Sequence, residues 1–269
     1  MWDNIFVNKY RFKGELNMTS VVSNKFEEYM SNYFQKVQGW CFVPIPYLIE
    51  RISYFQKENN ISGGVMEIGV HHGKLFLALH ALTKGEERSL AIDVFEDQDL
   101  NIDNSGHGNQ EILDENIKHF SFRQEFIDKM KADSSSLSDE DVANLQRKYG
   151  KFRIISIDGS HTPEHTIRDF NIAQNLVANG GLVAIDDIDN INHPGVYEGI
   201  ARIFICDRPR LVPFLIGGRK LFLTTIGFHR RLFNYTLNCI KSEKSQNIEG
   251  ATKQVKMFGH DVIVWRLKV

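Results

Sequence analysis

The run Glu67-Ile68-Gly69-Val70-His71-His72-Gly73 sets an acid, two glycines and two histidines at the end of a short apolar stretch that begins at Val65. From Lys74 to Leu82 the pattern becomes helical, so the unit reads as strand, glycine loop, helix. Glycine in such a loop lets backbone approach a ligand closely, and the first crossover of an open α/β sheet lies beside the point where nucleotides bind. The spacing is not the Gly-x-Gly-x-x-Gly of a dinucleotide site, because His71 stands at the usual middle glycine and Glu67 leads the turn. An acidic loop disfavours the pyrophosphate of NAD. It tolerates a ligand bearing a sulfonium and an ammonium, and S-adenosylmethionine bears both.

A second apolar run, Leu90 to Phe95, carries Asp93 near its tip. A carboxylate there can accept both hydroxyls of a ribose, which indicates a nucleoside without choosing which one. Asp133 and Ser134 follow a weaker run, Phe126 to Lys131, from which they could reach an adenine; an ordinary polar turn is the alternative. With Glu67, Gly69, Gly73 and Asp93 in these places, residues 60–267 resemble the class I S-adenosylmethionine-dependent methyltransferases. His71 departs from that pattern, since many members have glycine there, but it remains in the expected cofactor-binding set.

The resemblance implies that the fourth and fifth strands are neighbours. Asp158 follows Ile157 in Asp158-Gly159-Ser160-His161, and Asp186 and Asp187 close the run from Leu182 to Ile185, so the three carboxylates are expected to converge beside the sulfonium. Clustered carboxylates repel one another unless a positive group neutralises them, and a hard cation such as Mg²⁺ does so through oxygen ligands. Plain loop capping is the alternative. His161 stands just before Thr162-Pro163, and an imidazole with an ordinary pKa of roughly 6.5 is suited to accept a proton there. Pro163 breaks the helical spacing between His161 and His165, which leaves His165 on a helix surface. The Asp-Gly-Ser-His and Asp-Asp segments are similar to the metal-dependent sugar O-methyltransferases of natural-product biosynthesis. That likeness implies Mg²⁺ on Asp158, Asp186 and Asp187, His161 as base, and a small hydroxylated molecule as acceptor.

Short apolar runs alternating with longer helical patterns predict an α/β, doubly wound sheet. Seven strands are expected: Val65–Val70, Leu90–Phe95, Phe126–Lys131, Phe152–Asp158, Gly181–Asp186, Lys220–Thr225 and Asp261–Leu267, mostly parallel with the last antiparallel in a closing hairpin. Helical periodicity covers Leu75–Leu82, Gln110–Phe120, Asp139–Tyr149, Glu164–Ala178 and Val196–Cys206, with Ser138 and Thr162-Pro163 as N-terminal caps and Gly150 and Gly180 as stops. The polar stretch Ser242–Lys256 reads as an exposed loop. Residues 1–59, including a helix over Pro46–Glu58, form an N-terminal accessory segment expected to cover a site or build a homo-oligomer; residues 60–269 form the methyltransferase domain.

A length of 269 residues suits one large domain with embellishments, and 42% hydrophobic with 25% charged residues is ordinary globular composition. The 32 Lys and Arg nearly balance 34 Asp and Glu, and Arg208-Pro209-Arg210 and Arg230-Arg231 are too sparse for a nucleic-acid footprint. The most apolar stretch, Trp40–Ile49, is far shorter than the roughly 20 residues that span a bilayer. Cys41, Cys206 and Cys239 suggest neither a disulfide framework nor a zinc knuckle, and with no secretory leader the expected location is the cytoplasm. Trp40 is expected to be a buried anchor or to line a sugar face, while His107 and His193 lie in polar loops that could touch substrate or simply be solvated. Two rival functions share this scaffold: a non-catalytic nucleoside-binding protein, and an RNA or protein methyltransferase, which would need a basic groove or a peptide channel.

Overall fold

The computed structural model describes residues 21–103, 105–244 and 250–267. The first twenty residues of the accessory segment, Asn104, and residues 245–249 of the expected polar loop lie outside them. Strands β1 (Gly64–Ile68), β2 (Ser89–Asp93), β3 (Ile127–Lys131), β4 (Phe152–Ile157) and β5 (Val177–Ile185) are parallel to one another, in the order β3-β2-β1-β4-β5. Strand order reverses between β1 and β4, which opens a crevice at the carboxyl edge of the sheet. β6 (Leu211–Gly217) and β7 (Lys220–Thr225) form a hairpin with β7 antiparallel beside β5. A second hairpin, β8 (Gly250–Met257) with β9 (His260–Leu267), continues the sheet from β6.

The doubly wound, mostly parallel architecture is as expected, but the sheet has nine strands and not seven. Pro213 hides β6 from the pattern; the register shift between Pro213 and Leu215 accommodates its missing N–H. β8 is the polar stretch that reads as a loop. As an edge strand it has one neighbour, so Lys253, Gln254 and Lys256 can stay exposed while the backbone pairs. The closing hairpin is also corrected: β7 pairs with β5 and β6, the last strand β9 runs parallel to β6, and the antiparallel members are β7 and β8.

The described helices are α1 (Val21–Asn32), α2 (Pro44–Glu58), α3 (Lys74–His80), α4 (Gln110–Phe120), α5 (Asp139–Tyr149), α6 (Pro163–Leu176), α7 (Pro194–Cys206) and α8 (His229–Lys244). Their buried side chains divide between two cores, one on each face of the sheet. α1 to α4 and α8 contribute to the first, with Leu182 and Ala184 of β5; α5 to α7 contribute to the second, with Val183 and Ile185. The alternation along β5 is what a strand covered on both faces requires. Ser138 caps α5 in a reciprocal box with Asp141, and Thr162 Oγ1 accepts from the His165 N–H at the start of α6. α8 carries no helix expectation because its apolar positions are interleaved with Arg230, Arg231 and Lys241.

The helix α2, expected within an accessory segment, is fastened to the sheet. Buried Arg153 on β4 donates to Ser53 Oγ at 2.9 Å and Gln56 Oε1 at 3.0 Å, and Gln56 Nε2 returns a 2.7 Å bond to the Arg153 carbonyl. Arg153 also donates to the Leu82 carbonyl at 2.8 Å, and Glu87, 3.5 Å from its Nε, is the acid that balances its charge. No helix among the described residues is long and apolar enough to cross a membrane.

The crevice depends on Gly69, whose φ is +77° and where a Cβ would lie 1.9 Å from the Asp158 carbonyl oxygen. A side chain there forces β1 and β4 apart. Gly69→Ala is therefore expected to cost at least about 2 kcal/mol of stability. At Gly85 φ is +53° and nothing lies within 4 Å, so Gly85→Ala should lose only the ~1 kcal/mol of the left-handed conformation. Thermal unfolding of the two variants compares them, and equal losses would contradict the close-packing argument.

Candidate active site

The carboxyl ends of β1 to β5 open into a cavity of about 780 Å³. Its cofactor half is built on Asp93. Oδ2 accepts the N–H groups of Val70 at 2.6 Å and His71 at 2.7 Å, and Oδ1 accepts that of Phe95 at 2.6 Å. One carboxylate thus clips the glycine loop to the tip of β2. Burial pushes Asp93 up, against the pull of those three N–H groups toward the charged form. Gly108 closes over it, since a Cβ there would sit 3.0 Å from Asp93 Oδ1. Asp133 and Ser134 line the cavity beyond β3, where Asp133 Oδ1 and Oδ2 accept from the N–H and hydroxyl of Ser135, each at 2.8 Å.

Of the residues expected on the cofactor, Gly69, His71, Asp93, Asp133 and Ser134 line the cavity. Glu67 and Gly73 do not. Glu67 is buried in β1 opposite Ser156, and burial raises it to about 8 despite the opposing pull of nearby Lys220. Gly73 instead allows α4 to approach, because a Cβ there would meet Leu113 Cδ1 at 2.6 Å. Trp40 overturns the expectation of a buried anchor: it is 76% exposed at the cavity rim, with its ring 5.4 Å from that of His71. The backbone carrying it is held down where Lys74 Nζ donates to the Val37 carbonyl at 3.0 Å.

Asp158, Asp186, Asp187 and His161 all line the other half of the cavity. Burial, then the adjacent Asp186, raises Asp158 well above the usual carboxylate range. Asp186 turns to the ammonium of Lys220, 2.5 Å from its Oδ2. Burial opposes the charge on Lys220, but Asp186 and Asp158 hold its pKa above the usual lysine range. Asp187, at φ +58°, accepts from Asn190 Nδ2 at 2.9 Å and faces His161 Nε2 at 3.2 Å, without an aligned hydrogen bond.

His161 is oriented from behind. Asp103 Oδ2 accepts from its backbone N–H at 2.7 Å and lies 2.7 Å from its Nδ1, while Ser105 Oγ donates to Asp103 Oδ1 at 2.7 Å. Nε2 is left facing Asp187 at 3.2 Å and Asp158 at 4.0 Å. The ring of His193 stacks on that of His161 at 3.8 Å. Burial opposes the charge on His161, but Asp187 and Asp103 outweigh it and raise the group to about 9. Burial likewise opposes ionisation of Asp103 and Asp187, yet the neighbouring groups, Ser105 and His161 for one and His161 and Asn190 for the other, hold both at about 2.

Asp103, Ser105 and Lys220 had not been singled out from the sequence. The density of hydrogen-bonding groups in Asn101–Asn109 was the available signal for the first two, but it pointed equally to His107, which is exposed and whose ring meets Gln98 at 3.0 Å. Lys220 gives no local signal, because a lysine before an apolar run reads as a solvated strand end. His165 meets Thr162 Oγ1 at 2.7 Å and Asp133 at 3.8 Å, and so lines the cavity rather than an open helix face.

Ligand atoms of Asp158, His161 and Asp187 lie within 4.8 Å of one another, as do those of Asp103, His161 and His193. The first set offers two carboxylates to one point, with a buried imidazole nitrogen beside them, and fits a hard divalent cation. Asp186 is not in that set.

The ionic contacts of His161 give stability a pH signature. A histidine raised from 6.5 to about 9 stabilises the fold fully below 6.5 and loses that contribution as pH climbs through 9. A carboxylate lowered from 3.8 to about 2 contributes above 3.8 and loses it as pH falls through 2. Asp103→Asn is therefore expected to lower the melting temperature more at about pH 6 than at about pH 10. A loss independent of pH in thermal scans would show that the Asp103–His161 contact is not ionic.

Residues 66–188 match a family model described as a methyltransferase domain. No curated protein sequence matches the chain. Among solved structures, the O-methyltransferase NovP is similar with a TM-score of 0.54 at 14% identity, over 67% of this chain and 80% of that one. An O-methyltransferase from Bacillus cereus, in complex with S-adenosylhomocysteine (SAH), is similar with a TM-score of 0.50 at 15% identity, over 82% of this chain and 95% of that one. At these identities the likeness concerns the fold, and it agrees with the strand order and glycine loop described above. Over residues 66–188 the chain is thus similar to a methyltransferase domain, set on a doubly wound sheet.

Proposed function

We propose that the protein transfers the methyl group of S-adenosylmethionine to a hydroxyl of a small molecule, a sugar or glycosylated metabolite, with deprotonation assisted by a divalent cation. The observation that carries this reading is one cavity in which Asp93 and the glycine loop stand on one side and His161, Asp158 and Asp187 on the other. The first group suits a nucleoside cofactor, as in the SAH complex of the Bacillus cereus relative. The second suits proton removal from a weak acid. The rim supports an acceptor with both an apolar and a polar face: exposed Trp40 and Phe42 line it together with Asn190 and Asn192. Balanced overall charge argues against a nucleic-acid acceptor, and the free thiols of Cys41, Cys206 and Cys239 suit a reducing cytoplasm.

In this reading Asp93 takes the ribose hydroxyls, while Asp133 and Ser134 flank the adenine. Asp158 and Asp187, with Asp186 next to them, would hold the cation. When bound, a hard divalent cation such as Mg²⁺ stabilises negative charge developing on an acceptor oxygen without itself taking a proton. His161 Nε2, aimed by Asp103, accepts the hydroxyl proton in its neutral form, which a cation held by Asp158 and Asp187 would favour by offsetting the acids that raise the group to about 9. The oxygen lone pair forms the new O–CH₃ bond as the S–CH₃ electron pair passes to sulfur, leaving S-adenosylhomocysteine. The sulfonium is already an activated donor, so alignment of the two partners is the remaining requirement.

Calorimetry should detect S-adenosylhomocysteine but not NAD, and Asp93→Ala should weaken binding by about 1.5–3 kcal/mol; unchanged affinity would remove the ribose assignment. A screen of hydroxylated metabolites, RNA and peptides with labelled methyl donor separates the enzyme from its rivals. Label on none of them, with cofactor still bound, would favour the non-catalytic binding protein. On the accepted substrate, His161→Ala should cut turnover by roughly 10² to 10⁴ while cofactor affinity is kept. Activity surviving in that variant at every pH would remove the base, and full activity in excess EDTA would remove the metal.

A further inference from the structure

The proton-transfer chemistry leaves one buried charge unused. Lys220 is 2% exposed, yet its Nζ lies 2.5 Å from Asp186 Oδ2 among the acids of the cavity. β7 brings it there: the strand runs antiparallel to β5 with Ile185 opposite Leu221, so its first residue meets the edge at which the parallel strands end. The ligand atoms that share a common point come from Asp158, His161 and Asp187, and the carboxylate turned to the lysine is absent from that set. Both oxygens of Asp186 are already engaged, Oδ2 by the Lys220 ammonium and Oδ1 by the Asp187 N–H at 2.9 Å, and a divalent cation brought beside that ammonium would be repelled where water does not screen the charges.

We infer that Lys220 is a built-in counter-cation that withholds Asp186 from the metal, leaving Asp158 and Asp187 as the carboxylate ligands. This rests on the metal-assisted reading above and refines it. The lysine supplies part of the neutralisation that three clustered acids require, so the divalent ion is bound weakly and exchanges readily. Removing the ammonium frees Asp186 to become a third ligand and removes a repulsion. Removing both partners of the ion pair leaves the net charge and the remaining ligand set unchanged.

The test is Mn²⁺ binding to the full chain by electron paramagnetic resonance, without methyl donor. Lys220→Met should tighten Mn²⁺ on the order of tenfold or more relative to wild type. The double variant Lys220→Met/Asp186→Asn should return to within about threefold of wild type, since the coupling between the two positions is what the cycle isolates. A lysine with a merely structural role would not strengthen metal binding when removed. If Lys220→Met alone fails to fold, the double variant still decides, because exchanging a buried ion pair for neutral groups is tolerated. Loss of Mn²⁺ from the double variant would make Asp186 a metal ligand in the wild type and overturn the inference. No tightening in a folded Lys220→Met would overturn it as well. Mn²⁺ bound by Lys220→Met but not by wild type would support it in its strongest form. Mn²⁺ bound by no variant would overturn it together with the metal reading, while cofactor binding and methyl transfer by the metal-free enzyme would stand or fall in their own assays.

Discussion

A carboxylate removed from water must find N–H donors or a cation, and the upper edge of this sheet is arranged around how its acids do so. Asp93 takes three backbone N–H groups, Asp103 takes the N–H of His161 and the groups of Ser105, and Asp186 takes Lys220. Asp158 has none of these, and burial with the adjacent Asp186 raises it toward its neutral form. Every acid that is satisfied fixes a piece of backbone or a side chain. Asp158 lies beside His161 and Asp187, where a bound cation would be most effective.

The loop from Gln98 to Gly108 links the two halves of the cavity. At one end Gly108 packs on Asp93; in the middle, Asp103 and Ser105 reach across to His161. The loop is braced internally by Asn101, whose Nδ2 donates to the Ser105 and Gly106 carbonyls at 3.0 Å and 2.9 Å. The glycine that packs on Asp93 and the residue that aims the histidine are thereby parts of one segment. Placement of a cofactor and placement of a base are mechanically coupled in such an arrangement.

The N-terminal portion has a matching role on the opposite wall. α2 is fastened to β4 through Arg153, and the segment that follows α1 carries Gly39, Trp40 and Phe42 over the glycine loop. An exposed tryptophan tilted against His71 costs apolar surface in water, which is the usual mark of a surface kept for a ligand.

Local chemistry made much of the fold readable in advance. The caps at Ser138 and Thr162 rest on interactions within a few residues, and the glycine loop and the tips at Asp93, Asp158 and Asp186-Asp187 stand where apolar runs end, so their residue types betray them. The two strands missed, β6 and β8, lack the apolar run that marks a buried strand, one because Pro213 interrupts it and the other because an edge position needs no such run. The site was legible as a set of acids and a histidine. Their partners were not, because Asp103 lies 58 residues from His161 and Lys220 lies 34 from Asp186. Sequence alone determined which groups reach the carboxyl edge of the parallel strands. Only the tertiary structure decided their pairing, since an antiparallel strand inserted beside β5 and a loop folded back from β2 brought a lysine and an aspartate into low-dielectric contact that no spacing along the chain encodes.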